Sequence, residues 1–191
     1  MIITISGKAA SGKTTLALTI KDNFSNVEVI SLDEVNSELM YNDLSVKEFA
    51  LKLFGEEVFE QDDILKAKVS KKIYNDENLY NAWCSFMKTK CEKVVLEKIE
   101  KNPNKIYIIE HILANETKFA NLSDYRILVI ADEQERIFRV INRDDITIEQ
   151  LQQREKFLKV YNLNEFNLVY EGKDPSVVIE TLKTVIPNNH N

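Results

Sequence analysis

The sequence predicts an α/β fold, a three-layer sandwich with helices on both faces of a five-stranded parallel sheet. Three observations lead there. Short, continuous apolar runs at Ile2–Ile5, Val27–Leu32, Lys105–Ile109 and Tyr125–Ala131 have the length and evenness of strands buried on both faces. Segments with apolar residues at helical spacing alternate with them, as right-handed crossovers require. The first crossover carries the octet Gly-Lys-Ala-Ala-Ser-Gly-Lys-Thr, Gly7 to Thr14, between a strand and a helix.

That octet is the Walker A pattern in the context it needs. Gly7 and Gly12 let the backbone turn its N–H groups inward around a polyphosphate, with Lys8, Ala9, Ala10 and Ser11 between them and Thr15 just beyond. Lys13 reaches the outer phosphates, and the Thr14 hydroxyl is placed to hold Mg²⁺. Two of the chain's four glycines fill the two required positions. The chain therefore binds a nucleoside triphosphate.

Each later element has its own signal. Val27–Leu32 is a strand ending at Asp33, and Asp33–Leu39 has a helical start that Asp33 could cap. From Ser45 the sequence turns helical and polar: Val46, Phe49, Ala50 and Leu53 recur at helical spacing before Gly55, then come 64–74 and 79–101, stopped by Pro103. Residues 41–103 thus read as a helical insertion in a core of about 1–40, 104–142 and 162–191. Glu110 and Asp132 follow the third and fourth apolar runs, and helices at 132–142 and 148–161 flank an Asp144-Asp145 turn. A strand near 166–170 and a helix from about 175 to 186 close the fold. Ligands belong at the carboxyl edge of such a sheet, where the phosphate loop, Asp33, Glu110 and Asp132 converge.

Composition bounds the partners. The chain has 191 residues, enough for one well-buried core, and a formal charge of −6 from 25 basic and 31 acidic residues. No polybasic surface invites nucleic acid or an anionic membrane, so a small molecule is the expected partner. No apolar run approaches a membrane span and the start does not resemble a signal peptide, so a cytoplasmic location is expected. Cys84 and Cys91 lack metal-binding spacing and read as reduced, mostly buried thiols. Oligomeric state is not legible.

Phosphoryl transfer needs held phosphates, a metal, cations to meet developing charge and a group that orients the nucleophile. Asp33 could take the acceptor's proton. Glu110 stands where a Walker B acid would and could hold Mg²⁺, directly or through water. Five arginines stand against twenty lysines, and four of them, Arg136, Arg139, Arg143 and Arg154, fall in one short stretch. Arg136, Arg139 and Arg143 share a helical stripe. Forked guanidinium groups around a turn suit a phosphate-gripping lid over about 143–161, with Arg143 and Arg154 foremost; the alternative is a solvated face paired with Glu133, Glu135 and Glu149. His111 reads as structural.

In segment order the chain resembles the dephospho-CoA kinase family over nearly its whole length. The phosphate loop is followed by Val29-Ile-Ser-Leu-Asp33 and by Phe54-Gly55. The family's basic-aromatic stretch is similar to Lys66 followed by Tyr74-Asn75-Asp76, with lysine in place of arginine. Its strand ending in Asp-x-Pro-Leu-Leu-Phe-Glu looks like Glu110-His-Ile-Leu-Ala-Asn-Glu116, without the proline and the aromatic. Its lid pattern matches Arg139, Arg143-Asp144 and Arg154, while its His-Pro pair is replaced by Cys84-Ser85.

The resemblance implies a P-loop kinase fold with a helical acceptor-binding insertion and a lid. It implies ATP and Mg²⁺ as cofactors, dephospho-CoA as acceptor and CoA as product. Asp33 would be the base, Lys13 and the lid arginines Arg139, Arg143 and Arg154 would grip the transferred group, and Asp33, Lys66, Tyr74 and Glu116 would meet the acceptor. A nucleoside or nucleotide monophosphate kinase shares the loop, sheet and lid, and an ATP-binding regulator that has lost transfer is the reading from another class.

Overall fold

The computed structural model describes residues 1–186; the last five residues of the expected 162–191 core segment lie outside the described residues. In chain order the elements are β1 (Ile2–Ser6), α1 (Lys13–Asn23), β2 (Val27–Ser31), α2 (Leu32–Asn42), α3 (Leu44–Phe54), β3 (Phe59–Glu60), β4 (Asp63–Ile64), α4 (Lys66–Ile73), α5 (Glu77–Lys101), β5 (Ile106–Glu110), α6 (Lys118–Leu122), β6 (Tyr125–Val129), α7 (Glu133–Asp144), α8 (Ile148–Glu155), β7 (Leu168–Tyr170) and α9 (Ser176–Val185). They group into two compact units. One comprises Met1–Ile30, Pro103–Ile146 and the chain from Lys159; the other comprises Ser31–Asn102 and Thr147–Leu158.

The first unit is built on the five-stranded sheet, in the order β2-β5-β1-β6-β7. β1 lies at its centre, parallel to β5 with Ile5 beside Glu110 and parallel to β6 with Ile5 beside Ile127. Its alternation sorts the two faces: Ile3 and Ile5 join Leu16, Ala17 and Ile20 of α1 and Val178, Ile179 and Leu182 of α9 in one buried cluster. On the other face Thr4 Oγ1 accepts from Ser123 Oγ at 2.9 Å and Ser6 Oγ from the Asn115 N–H at 3.2 Å, so those two buried hydroxyls hold the loop after β5 and the end of α6. Burying the apolar cluster drives the layering, at about 25 cal/mol per Å² removed from water. The result is the predicted three-layer α/β fold with a five-stranded parallel sheet.

The second unit is helical. Asp43 and Asp76 cap α3 and α5 by accepting from the N–H groups of Ser45 and Val46, and of Asn78 and Leu79. Its centre is aromatic: Phe49 stacks on Phe86 with ring centroids 4.0 Å apart, and Phe54 meets the buried Trp83 edge-on at 5.2 Å. Helix α8 opens on a capping box in which Thr147 and Gln150 satisfy each other's backbone N–H groups. Among the described residues no helix is long and apolar enough to cross a membrane.

Several boundaries differ from expectation. Leu32 belongs to α2 rather than to the strand before it, and Ser31 occupies the cap position; Asp33 is a first-turn residue of the helix, as its helical start expects, but not the cap. The helix expected over 148–161 ends at Glu155, where Phe157 leaves it to stack on Tyr80 at 4.2 Å. The hairpin β3–β4 was not expected at all. Its two turn residues, Gln61 and Asp62, have φ of 47° and 70°, the left-handed pair of a type I′ turn.

Candidate functional site

The phosphate loop starts where β1 ends. Gly7 is dictated by a close approach: a Cβ there would lie 2.3 Å from the Val129 carbonyl oxygen at the end of β6. Gly12 has φ 99° and begins α1 without any side-chain cap, and the helix's first turn carries no acidic residue. The helix therefore offers its uncapped N–H groups and positive dipole end to an anion. Ser11 fits the same purpose, since its Oγ is buried and has no hydrogen-bond partner. A polyphosphate would satisfy both.

Lys13 is buried, and its Nζ donates to the Lys8 carbonyl at 3.1 Å. The Thr14 hydroxyl donates to Glu110 Oε1 at 3.1 Å. Glu110, at the end of β5 and 3 % exposed, thus meets the loop's hydroxyl across a separation of ninety-six residues in sequence. Two hard oxygen donors beside a phosphate cradle match what Mg²⁺ takes when phosphate and water complete its shell. Among the described residues no group of three or more His, Cys, Asp or Glu could hold a metal ion.

Helix α7, capped by Asp132 through the Gln134 and Glu135 N–H groups, approaches the same loop. Arg136 is 1 % exposed, donates through Nε and Nη2 to Glu133, and reaches the Ala9 carbonyl through Nη1 at 3.3 Å. Lys8 Nζ also meets Glu133, at 3.0 Å. The guanidinium and the ammonium together hold the Glu133 carboxyl down to about 2. Sequence reasoning placed Arg136 on the stripe but not in the site; the usable signal was its acid partner three residues back in a lysine-rich chain.

The other arginines stand differently. Arg139 pairs with Glu135 at 2.6 Å and Arg143 with Asp144 at 2.7 Å, both more than half exposed. The stripe thus runs along α7 from the buried Arg136 to the exposed Arg139 and Arg143. Glu116 accepts an ion pair from Lys159 at 3.0 Å, and the Tyr161 hydroxyl donates to the Ile112 carbonyl at 2.6 Å, so the chain after residue 158 is tied to the loop that follows β5. His111 Nδ1 accepts from the Leu113 N–H at 3.1 Å and shapes that loop, as its structural reading expects.

In the helical unit Asp33 is exposed in the first turn of α2 and shares a cleft of about 370 Å³ with Glu34, Ser37, Glu38 and Lys66. Tyr74 lies 6.1 Å from both Tyr80 and Phe157, and the Arg154 guanidinium sits over its ring at 5.9 Å. The unit thus gathers Asp33 with Lys66, and Tyr74 with Arg154. Burial pushes the Cys84 thiol up to about 11 and, helped by the Glu92 and Asp33 carboxylates, the Cys91 thiol up to about 12. Both stay protonated and inert at neutral pH.

A family model for dephospho-CoA kinase (CoaE) matches residues 1–158. A dephospho-CoA kinase of Vibrio parahaemolyticus serotype O3:K6 (strain RIMD 2210633) is 24% identical over 152 residues, 78% of this chain and 74% of that protein. A uridine kinase of Chlamydia pneumoniae is 32% identical over 146 residues, 75% of this chain and 64% of that protein, so the chain spans just under two-thirds of that relative's length. Among solved structures, TT1252 from Thermus thermophilus has a TM-score of 0.76 at 21% identity, covering 97% of this chain and 95% of that one. Dephospho-CoA kinase from Campylobacter jejuni has a TM-score of 0.56 at 15% identity, covering 96% of each. At such identities the two structures bear on the fold alone, and they match it.

Proposed function

The chain belongs to the dephospho-CoA kinase family, a phosphotransferase acting on an alcohol group, and we propose that it passes the γ-phosphate of ATP to the ribose 3′-hydroxyl of dephospho-CoA. The observation that carries this acceptor is the extent of the family match, which reaches to residue 158 and so takes in Lys66, Tyr74 and Glu116 as well as the phosphate loop.

In this reading the loop N–H groups and the uncapped start of α1 bind the ATP phosphates, and Lys13 exchanges the Lys8 carbonyl for a phosphate oxygen. Thr14 and Glu110 hold Mg²⁺, which when bound neutralises phosphate charge and orients the phosphates. Asp33 accepts the proton of the attacking hydroxyl. Arg139, Arg143 and Arg154 meet the charge of the transferred group, each exchanging a present partner for phosphate. Lys66, Tyr74 and Glu116 hold the acceptor. The enzyme works in the cytoplasm on a small molecule, with no nucleic acid or membrane as partner, in keeping with its net negative charge.

A second reading, nucleoside phosphorylation, is favoured by the 32% identity to the uridine kinase. One experiment separates the two: ADP release from Mg-ATP with dephospho-CoA, uridine, AMP and CMP as parallel acceptors, followed by mass spectrometry of the product. A CoA product supports the first reading, and transfer only to uridine or a nucleotide overturns it in favour of the second. ATP binding without transfer to any acceptor would point to a regulator.

A further inference from the structure

Helix α7 delivers a buried cation to the phosphate loop that none of the chemistry above uses. Burying a guanidinium is costly unless its donors are matched, and each nitrogen of Arg136 has an oxygen partner. Nε and Nη2 fork onto Glu133 at 2.9 and 2.7 Å, and Nη1 donates to the Ala9 carbonyl at 3.3 Å. Glu133 Oε1 accepts from Lys8 Nζ at 3.0 Å, and the Lys8 carbonyl accepts from Lys13 Nζ at 3.1 Å. A continuous line of contacts runs from α7 through Glu133 and Lys8 to the ammonium that reaches the phosphates.

The loop has a reason to need this hold. Ala10 has φ 57°, a left-handed conformation that a residue with a Cβ seldom adopts and that persists only where its surroundings over-determine it. Arg136 grips the carbonyl of the residue immediately before Ala10, and Glu133 grips the side chain of the residue before that. A lysine at 136 would keep the charge but has no fork with which to hold a carboxylate and a carbonyl together.

We propose, on the reading that the phosphate loop binds ATP, that Arg136 is a positioning residue. With Glu133 it fixes the Lys8–Ala10 arch and so sets where Lys13 and the loop N–H groups meet the outer phosphates. Arg136 itself touches neither nucleotide nor acceptor. Its loss acts through the loop and is felt on the ATP side of the reaction.

The test uses the full-length chain with R136K, R136M, E133Q and K8M, each checked by circular dichroism and thermal melting. Binding of a hydrolysis-resistant ATP analogue with Mg²⁺ is measured by calorimetry, and rates are measured with Mg-ATP varied against dephospho-CoA and the reverse. Both Arg136 variants are expected to lose about tenfold to a hundredfold in kcat/KM for ATP, the scale of a displaced reacting group, while KM for dephospho-CoA stays within about twofold. R136M and E133Q combined should lose no more than R136M alone, since they break one network.

Folded variants that bind the analogue and use ATP as the wild type does would overturn the proposal, and so would a KM for dephospho-CoA raised well beyond twofold or losses that multiply in the double variant. Should the Arg136 variants fail to fold, K8M decides: Lys8 is partly exposed, and ATP binding left intact by its loss counts against the network. The binding arm needs no acceptor. A wild type that binds the analogue but ignores dephospho-CoA therefore sinks the proposed acceptor alone, whereas one that binds no analogue sinks the kinase reading on which the clamp rests.

Discussion

The two units place their charges in opposite ways. In the sheet unit Lys13, Glu110 and Arg136 are all buried, all close around one loop, and each holds a polar partner near 3 Å. The helical unit buries Phe54 and Trp83 at its centre and keeps Asp33 and Lys66 at the wall of an open cleft. Buried, prepaired charge is expensive to assemble and gives a site fixed before its ligand arrives. Stacked rings give a firm body that says nothing about what its surface binds. Replacing a charge beside the phosphate loop should therefore show first in chemistry, and core substitutions in the second unit first in folding.

The largest expected effect breaks the comparison at its strongest point. Lys13→Met keeps the aliphatic stem and removes the charge, so kcat/KM for ATP should fall about a thousandfold, with the thermal midpoint nearly unchanged. A melt that collapses instead would show Lys13 to be a structural ion. Trp83→Ala is the counterpart. It empties space against Phe49 and Phe54 and should cost about 3 kcal/mol of stability in urea unfolding, while affinity for the ATP analogue at low temperature stays the same.

Asp33→Asn sharpens the contrast, because here an exposed residue of the helical unit is assigned a chemical role. Removing a general base typically costs about a hundredfold in rate or more, and ATP binding should survive. A nearly fully active variant would end the assignment and leave Asp33 as one more first-turn acid that favours the start of α2.

The same contrast governs how much could be read in advance. β1, β5 and β6 were legible because strands buried on both faces are continuously apolar, and the phosphate loop because its glycines sit at fixed spacing. The meeting of Thr14 with Glu110 followed from topology once the strands were placed. Arg136 was not legible as a loop contact, since helical periodicity puts it with Arg139 and Arg143 without saying that the stripe runs from a buried loop out to solvent. The hairpin β3–β4 was hidden because Gln61-Asp62 lacks the glycine that usually marks a type I′ turn. The early end of α8 depends on the partner that Phe157 finds on α5, which no local rule contains.

The smallest effect concerns pH. In the folded chain Arg136 and then Lys8 hold the Glu133 carboxyl near 2, against an ordinary value of 4.5. A carboxyl depressed by folding contributes stability that is present above its unfolded value and lost as pH falls through its folded value. The Glu133 contribution should therefore be complete above about pH 5 and fade from there toward pH 2. Glu133 is 52% exposed, so solvent screens the pair and the whole contribution should stay below about 1 kcal/mol. Urea unfolding of the wild type and E133Q across this window reads it: the wild type should lose stability more steeply, and the gap between the two should narrow as the pH drops. Asp43 in the helical unit is depressed in the same direction, by the Ser45 hydroxyl first and by Lys90. Acid should therefore loosen both units, and only the E133Q difference isolates the sheet unit's share. Equal slopes would mean that α7 holds the loop by packing and by the Ala9 contact, with the ion pair contributing nothing measurable.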